Sequence, residues 1–511
     1  MASLSFRVDA AKTARGTLGF VVQNSANSLL GLLLFAIFAR FVTREEMGVY
    51  AGFSFTSTLF QSLAVLGLNF AGPRFVAKLL AEGDRSGASA VARKIMLVSL
   101  GAGGALALTH CLLAPQFSLL LSQTYNFTEF FVAASSMVLV IVPMLVVEGL
   151  MQGVQEYGRL ATLKMVAQFL RVLVSVWLLL GGWGLFGMVA GWIILGVTVL
   201  LGSTILLSLH LDLAGGSYPL DPILKYSIPM LAAGLVSFLS NSVDIFIVMT
   251  YGSPAELGTY NVAVTASGAL VTILVVSATA TLLPTTSACF GAGGFGAVER
   301  VFYKSTRYLA LLYTPAALGL ASLAWPVVWF MGGPAYRDST LPLAIISLSF
   351  LAYSLSTPLT VSLQAVGETK RVLKIVLGGV AAGSLTAAAL LPVLGILGAA
   401  LGRVCLFTAT LLVGLYETKK VFKPKFDLDA LWKSVAASSV MAIIIYLAAS
   451  GGASVVTIPV GVLLGGVLYI LMLRLLRAVK PEDIRVLSEV LLAKLGRFSK
   501  PLERLAERLL V

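Results

Sequence analysis

The chain has 511 residues, of which 58% are apolar and only 12% are charged, and its mean hydropathy is +0.95. A soluble domain carries about a quarter charged residues, so this composition excludes an ordinary soluble enzyme and indicates an integral membrane protein with many spans. The net charge of +13 does not predict a nucleic-acid partner, because in a membrane protein the position of the charges matters more than their sum.

Charged and Gly/Pro-rich breaks separate fourteen apolar runs along the chain. Each run is longer than the roughly 9–11 residues of a membrane strand, and a hydrocarbon core of about 30 Å needs about 20 residues of helix. The sequence therefore predicts an all-α polytopic membrane protein of about 14 transmembrane helices. The predicted spans fall near residues 16–40, 47–79, 92–113, 128–152, 160–181, 184–208, 222–250, 256–289, 303–331, 340–366, 370–392, 395–417, 430–449 and 454–476.

Basic residues are distributed unevenly over the loops between these spans. With the N-terminus placed in the cytoplasm, 31 of the 36 Lys and Arg lie at the inner-side ends of spans (Arg74 among them), in inner loops or in the tail, three lie outside, and two lie deeper within spans. Without the nine that follow residue 473, the ratio is still 22 to three. The positive-inside rule therefore predicts cytoplasmic N- and C-termini and an even number of spans.

The C-terminal segment differs from the spans. Apolar residues recur every three or four positions from Ile484 to Leu509, which is typical of an amphipathic helix. Basic and acidic residues nearly balance there, so a helix along the cytoplasmic membrane surface is favoured over a lipid-specific polybasic switch.

Two short phrases occur twice, about 210 residues apart. EEMGVYAGF at 45–53 resembles AELGTYNVA at 255–263, and GLMQGVQEYGRLATLK at 149–164 resembles VSLQAVGETKRVLK at 361–374. The offset encloses six predicted spans, and because six is even both copies enter the membrane in the same direction, as parallel repeats do.

This duplication predicts the domain organisation. In each copy we expect the first repeated phrase (45–53 and 255–263) to start a long second helix. We also expect Tyr50 and Tyr260 of this phrase to lie in the aromatic belt at the membrane interface. The predicted domains are a six-helix lobe at 1–212, a second six-helix lobe at 213–425, an extra helix pair at 426–478 and a cytoplasmic tail at 479–511.

The sequence also contains the stretches RGTLGFVVQNSANSLLGLLLFAIFARFVTREEMGVY, LGLNFAGPRFVAKLLAEGD, LMQGVQEYGR and SIPMLAAGLVSFLSNSVDIFIVMTYGSPAELGTY. In their order and spacing, over about residues 12–420, they resemble the polysaccharide and lipid-linked oligosaccharide flippases (O-antigen and murein-precursor flippase-like) of the multidrug/oligosaccharidyl-lipid/polysaccharide exporter superfamily. The resemblance implies a MATE-like bundle of two six-helix lobes in a V shape around a central cavity. It also implies alternating access for a polyprenyl-(pyro)phosphate-linked sugar.

The hydroxylated head of such a substrate needs hydrogen-bonding groups in a cavity that water can enter. Gln23 and Asn27 share a face of the first predicted span, and Asn241 lies in the seventh, its repeat equivalent. Gln61 in the second span and Gln364 in the tenth complete the predicted sugar-binding set. For any single residue, helix–helix packing or hydrogen bonding to its own backbone is the alternative.

Charged residues within spans are costly and usually face a cavity or a partner. We predict that Arg74, Arg171 and Arg403 bind substrate phosphate, since a guanidinium group matches phosphate oxygens. Asp244 and Glu148 are the predicted sites for a coupling ion. The alternative is a set of ion pairs, of Arg74 or Arg171 with Glu148 and of Arg403 with Asp244.

Residues for catalysis or metal binding are scarce. Three isolated cysteines and two histidines offer no metal-ligand spacing, and no Gly-rich loop ends in Gly-Lys-Ser/Thr. We therefore predict a transporter rather than an enzyme, with no catalytic residue, metal site or cofactor, and with Na⁺ or H⁺ as candidate coupling ions.

The predicted function is flipping of a lipid-linked oligosaccharide or polysaccharide precursor from the cytoplasmic to the outer leaflet of the cell membrane, for surface polysaccharide or glycoprotein synthesis. One alternative is a multidrug or organic-cation antiporter of the same superfamily, although the first span lacks the acids that it would need. Another is a membrane glycosyltransferase or polymerase, which would require a large catalytic outer loop. Expected partners are the lipid-linked sugar and membrane lipid, with glycosyltransferases or polymerases as candidate protein partners of a monomer.

Overall fold

The computed structural model describes residues 23, 26–212, 216–449, 452 and 454–479, except the side chains of 269–281. All regular elements in this part of the chain are helices. They are α1 (Ala26–Phe41), α2 (Arg44–Ala64), α3 (Leu68–Ala81), α4 (Arg85–Leu112), α5 (Ala114–Ser122), α6 (Thr128–Gly153), α7 (Tyr157–Leu180), α8 (Leu185–Ser208), α9 (Asp221–Tyr251), α10 (Pro254–Ser322), α11 (Ala324–Gly332), a short 3₁₀ helix (Pro334–Ser339), α12 (Thr340–Ala365), α13 (Thr369–Leu394), α14 (Ile396–Lys419), α15 (Leu428–Ala449) and α16 (Thr457–Leu475).

The predicted all-helical membrane fold is confirmed. Among the described residues, eleven helical segments are long and apolar enough to cross a membrane, and one pair bent by 65° raises the number to twelve. Each predicted span overlaps a helix, but the count of fourteen and the cytoplasmic termini stay predictions. The predicted tail beyond residue 479 lies outside the described residues.

The longest helix, α10, covers two predicted spans. Its helical backbone is interrupted at Gly293 and Gly294, the latter with a φ of 60°. A positive φ is accessible to glycine without steric cost, so the Gly-rich stretch 291–296 ends one span and allows the next to begin. The sequence predicts the break at this place, between 289 and 303.

The chain forms two compact units, Met1–Asn261 and Val262–Val511. In the first unit α6 is the central helix, and it packs against α2, α3, α4, α5, α7 and α8. It is apolar around most of its circumference, as expected of a helix surrounded by others. Its buried Val138, Val142 and Leu150 join a core that continues into α3 and α4.

In the second unit α13 and α14 pack closely along their length. Small residues line their contact: a Cβ on Gly402 would lie 2.6 Å from the Cβ of Ala387, and one on Gly383 the same distance from the Cβ of Leu406. Such small-residue contacts let membrane helices approach closely. The helices α15 and α16 pack against each other, and their Ser434 and Tyr469 bond the α10 carbonyls of Ala310 and Leu311.

The repeated phrase starts α2 and α10 in the same way. The Thr43 hydroxyl accepts from the Glu46 N–H while the Glu46 carboxylate accepts from the Thr43 N–H. Ser253 and Glu256 make the same reciprocal pair of bonds. These are capping boxes, which satisfy backbone N–H groups at a helix start. The expected helix starts are therefore present at both copies.

The expectation that both tyrosines of the phrase lie in the interfacial belt is wrong for Tyr260. Its side chain is fully buried and donates a hydrogen bond to the Asp244 carboxylate. Tyr50 is half-buried and packs on Phe35, Phe38 and Phe53. Tertiary packing, which periodicity does not reveal, decides the direction of these rings.

Candidate functional site

A cavity of 540 Å³ opens within the first unit between α3, α6 and the start of α9. It lies toward the end of α6 that is predicted to face the cytoplasm. It brings together Arg74 and Glu148, two predicted site residues, with Gln152 of the repeated phrase. The lining residues are Asn69, Phe70, Pro73, Arg74, Leu145, Glu148, Gly149, Gln152 and Tyr226.

The helices α3 and α6 pack closely against each other where they line this cavity. A Cβ on Gly149 would lie 2.6 Å from the Asn69 carbonyl oxygen, so only glycine lets the two backbones come this near. The third wall comes from α9, whose Tyr226 packs edge-on against Phe75 of α3 with ring centroids 6.1 Å apart. Three helices thus hold the lining side chains in place.

Arg74 is an exposed cation on this wall. Its guanidinium carbon lies 4.2 Å from the centroid of the Tyr226 ring, a cation–π contact. It forms no ion pair with any carboxylate in the described part of the chain. Because stacking on a ring leaves the in-plane N–H groups unused, Arg74 can present them to an anion.

Glu148 is buried, and its Oε2 accepts a bond from Lys164 Nζ at 3.0 Å. The alternative prediction, that Glu148 pairs with Arg74 or Arg171, is therefore wrong. Glu148 lies five residues before the end of α6 at Gly153, and Lys164 lies seven residues after the start of α7 at Tyr157. Both are one to two turns from the connection between the two helices, and this proximity in the predicted hairpin was the sequence signal for the pair.

Two oxygen atoms of the cavity-lining residues lack a donor. They are Oε1 of Glu148 and Oδ1 of Asn69, both buried and without a hydrogen bond in the described structure. A buried acceptor without a donor is costly, so a side-chain rotation that turns either oxygen toward the cavity and onto an O–H or N–H group of a ligand or water would be favourable. Sequence reasoning missed Asn69 and Tyr226, because a single Asn or Tyr at a span end has many uses.

Arg171 lies apart from this cavity. It is only 7% exposed, its guanidinium carbon lies 3.5 Å from the centroid of the Trp192 ring on α8, and its Nε has no hydrogen bond. No carboxylate pairs with it among the residues that the structure describes. It is a buried cation held by an aromatic ring.

The predicted sugar-binding residues Gln23, Asn27 and Gln61 are also within the first unit. Gln23, just before α1, is 1% exposed, and among the described residues neither atom of its amide has a partner, nor does Oδ1 of Asn27. Gln61 is buried on α2. None of the three lines the cavity, so their predicted role stays a prediction.

Asp244 and Asn241 lie on α9, two to three turns before its end. Asp244 is buried and accepts from Tyr260, and Asn241 donates to the Ser237 carbonyl at 2.8 Å. In the second unit, Gln364 is exposed near the end of α12 and Arg403 is half-buried on α14. Among the described residues, no three His, Cys, Asp or Glu side chains form a potential metal site.

Comparison with known proteins identifies the fold. The chain superimposes on a structure of the lipid II flippase MurJ in an inward closed conformation with a TM-score of 0.71 and 15% identity, covering 90% of this chain and 98% of that one. An inward-facing multidrug resistance MATE family transporter of the MOP superfamily gives 0.65 and 17% over 78% and 94% of the two chains. A MATE transporter of Vibrio cholerae gives 0.57 and 15% over 80% and 98%.

These likenesses show that the chain has the MurJ/MATE fold of multi-pass membrane proteins. The search of curated proteins finds no match. The family model described as "Polysaccharide biosynthesis protein" matches residues 37–341, which is more than half of the 511 residues. The chain therefore belongs to the polysaccharide biosynthesis protein family.

Proposed function

We propose that the protein flips a polyprenyl-(pyro)phosphate-linked oligosaccharide from the cytoplasmic to the outer leaflet of the cell membrane, by alternating access. The observation that supports this most is Arg74, an exposed cation on the cavity wall that pairs with no carboxylate in the described chain. A cation within a predicted span is costly unless it meets an anion or water. The phosphate of a lipid-linked sugar supplies that anion.

The cavity suits the rest of the headgroup as well. Oε1 of Glu148 and Oδ1 of Asn69 lack donors in the described structure, so a rotation of either side chain toward the cavity would let it accept a bond from a sugar hydroxyl, and the half-exposed ring of Phe70 offers an apolar face. Ligand sites of this kind combine a few placed polar groups with apolar walls. Membership of the polysaccharide biosynthesis protein family agrees with a saccharide substrate.

The test is reconstitution of the protein in liposomes with a fluorescent polyprenyl-pyrophosphate sugar. Translocation is read from quenching of the label that reaches the outer face. We expect Arg74→Gln to lower the rate at least about tenfold, because one charged hydrogen bond is worth roughly 1.5–3 kcal/mol. The matched control is Lys78→Gln on the same helix, whose side chain is exposed and pairs with Glu82 at 3.8 Å. Equal rates for wild type and Arg74→Gln would contradict the proposal.

Organic-cation antiport is a second candidate, favoured by Oε1 of Glu148, which has no donor among the residues that the structure describes. A carboxylate oxygen without a donor can face a cationic drug as well as a hydroxyl group. The same liposomes, given external tetraphenylphosphonium and a pH or Na⁺ gradient, distinguish the two functions. Uptake that depends on Glu148 but not on Arg74 would support the antiporter.

A further inference from the structure

The charges around the 540 Å³ cavity can be counted. Its wall carries Arg74 and Glu148, and Lys164 bonds the Glu148 carboxylate. Two cations and one carboxylate give a net charge of +1. Lys78 on α3 and Lys225 on α9 pair with Glu82 and Asp221 one helical turn away, so each of these pairs is neutral and adds nothing to this balance.

The net charge of +1 around the cavity determines which ligand charge is bound most favourably. Within a membrane, a charge that is not compensated is costly. A ligand with one negative charge brings the cavity to neutrality, whereas a ligand with two leaves an excess negative charge beside Glu148. The Glu148 carboxylate thus repels a second phosphate charge, and this repulsion creates specificity for a ligand with one charge.

The positions of the polar atoms agree with this count. Arg74 offers guanidinium N–H groups that no carboxylate takes in the described chain, while Oε1 of Glu148 and Oδ1 of Asn69 offer acceptors. A ligand with an anionic phosphate on one side and hydroxyl donors on the other satisfies both sets. A phosphodiester that joins a lipid to a hydroxylated group has this chemistry.

We infer that this cavity selects a saccharide attached to its lipid through a single phosphate, a phosphodiester with one negative charge, over the same saccharide attached through pyrophosphate. The inference rests on the proposed function and narrows its substrate class. Glu148 is the residue that determines the preference, and Lys164 holds its carboxylate in place.

The experiment measures equilibrium binding to the full chain in nanodiscs of phosphatidylcholine. The two probes are farnesyl-phosphoryl-glucose and farnesyl-diphosphoryl-glucose. For the wild type we expect the phosphodiester to bind at least roughly tenfold more tightly. Equal affinities, or tighter binding of the diphosphate, would overturn the inference.

Two variants test the charge count itself. Glu148→Gln removes the negative charge and leaves two cations, so the preference should move toward the diphosphate by a similar factor. The double variant Glu148→Gln with Lys164→Gln restores a net charge of +1, and the preference for the phosphodiester should return. A merely structural role of the pair predicts no such reversal. The control is Glu129→Gln, an exposed carboxylate at the opposite end of α6, which should leave the ratio unchanged.

Failure of the charge preference and failure of the proposed function give different binding results. If neither probe binds, or if Arg74→Gln binds both as tightly as the wild type does, the proposed function itself fails. If both bind through Arg74 without the expected ratio, only the charge preference fails. Phosphatidylglycerol has the same single phosphodiester and hydroxyl groups, so its displacement of the probe at equal mole fraction would assign the cavity to a bulk lipid and overturn the inference.

Discussion

Arg307 and Asp427 form an ion pair whose two side chains are each only 4% exposed. Arg307 Nη1 lies 2.8 Å from Asp427 Oδ2, and Nη2 donates to the Ala478 carbonyl at 2.7 Å. Asp427 precedes α15 and Ala478 follows α16. One guanidinium group on α10 therefore holds both ends of the extra helix pair against the second unit.

Replacing Arg307 by Ala should lower the free energy of unfolding by roughly 3–5 kcal/mol, because it leaves a buried carboxylate without its partner. The measurement is denaturation in detergent micelles. Lys433→Ala is the control, since Lys433 pairs at 2.8 Å with an Asp429 that is 61% exposed, and loss of such a surface pair costs less than about 1 kcal/mol. A similar loss for both variants would show that Arg307 does not hold the helix pair.

The same pair predicts an acid sensitivity. Burial alone would raise the pKa of Asp427, but the Ala430 N–H and the Arg307 guanidinium outweigh burial and hold that pKa below its ordinary value of 3.8. A carboxyl group with a lowered pKa stabilises the fold above its ordinary pKa, and this stability is lost as the pH falls through the lowered value. We expect the unfolding midpoint of the wild type to fall from about pH 5 downward. The unfolding midpoint of Asp427→Asn should be lower than that of the wild type at neutral pH and should fall less as the pH decreases. Parallel pH profiles of the two proteins would show that Asp427 does not cause the acid sensitivity.

Arg171 is the opposite case, a buried cation without a carboxylate partner in the described chain. Methionine has a similar length and no charge, so Arg171→Met should leave the free energy of unfolding within about 1 kcal/mol of the wild type or raise it. If Arg171 serves the substrate as the sequence predicts, transport should fall at least about tenfold. The control on the same helix is Arg159→Met, whose side chain is 54% exposed. Lower stability with normal transport would instead assign Arg171 to packing on Trp192.

At the scale of helices, the repeated phrase forms a contact with its own copy. Gly48 of α2 packs against the Pro254 carbonyl at the start of α10, and Gly258 of α10 packs against the Arg44 carbonyl at the start of α2. Residue 258 is the repeat equivalent of residue 48, and residue 254 is that of residue 44, so the two contacts are equivalent. The two glycines explain why the phrase keeps Gly at this position, since any Cβ would lie well inside van der Waals contact with the opposite backbone.

Gly48→Ala and Gly258→Ala should each lower the free energy of unfolding by about 1–3 kcal/mol, as overpacking does. The double variant should lose less than the sum, because both changes strain one contact. Gly101→Ala on α4 is the matched control: nothing lies within 4 Å of its Cβ position, so alanine should stabilise that helix by roughly 0.5–1 kcal/mol. Thermal unfolding in detergent tests all four variants, and additive losses would show that the two glycines act independently.

The elements were largely predictable from the sequence, whereas the partners of the polar side chains were not. Apolar length locates the helices, and the Gly-rich stretch 291–296 shows where α10 is interrupted. Arg74 and Glu148 were predicted because charges inside spans are rare. The pairing of Lys164 with Glu148 was not predicted, and Tyr260 was assigned to the interfacial belt, because neither the rotation of a helix about its axis nor its neighbour can be read from periodicity alone.

At the scale of the whole molecule, the parallel repeats and the distribution of basic residues together predict which side of the membrane each loop faces. A phrase that recurs after six spans must occupy the same side of the membrane in both copies. The loop 123–127 and the loop 82–84 are connected by α4 and the short α5. We expect them to face opposite sides, because α4 is long and apolar enough to cross the membrane. Tyr125 is exposed in the first loop, and Glu82 is exposed in the second.

Substituted cysteines test this orientation in intact cells. In a background with Cys111, Cys289 and Cys405 replaced by serine, Tyr125→Cys should react with a membrane-impermeant maleimide added from outside. Glu82→Cys should react only after the membrane is permeabilised, because the 22 to three excess of basic residues in the loops retains its side in the cytoplasm. The opposite labelling pattern would invert the molecule, place the Arg74 cavity toward the outer leaflet, and reverse the proposed direction of transport. Labelling of both positions from outside would instead remove α4 from the membrane-spanning helices.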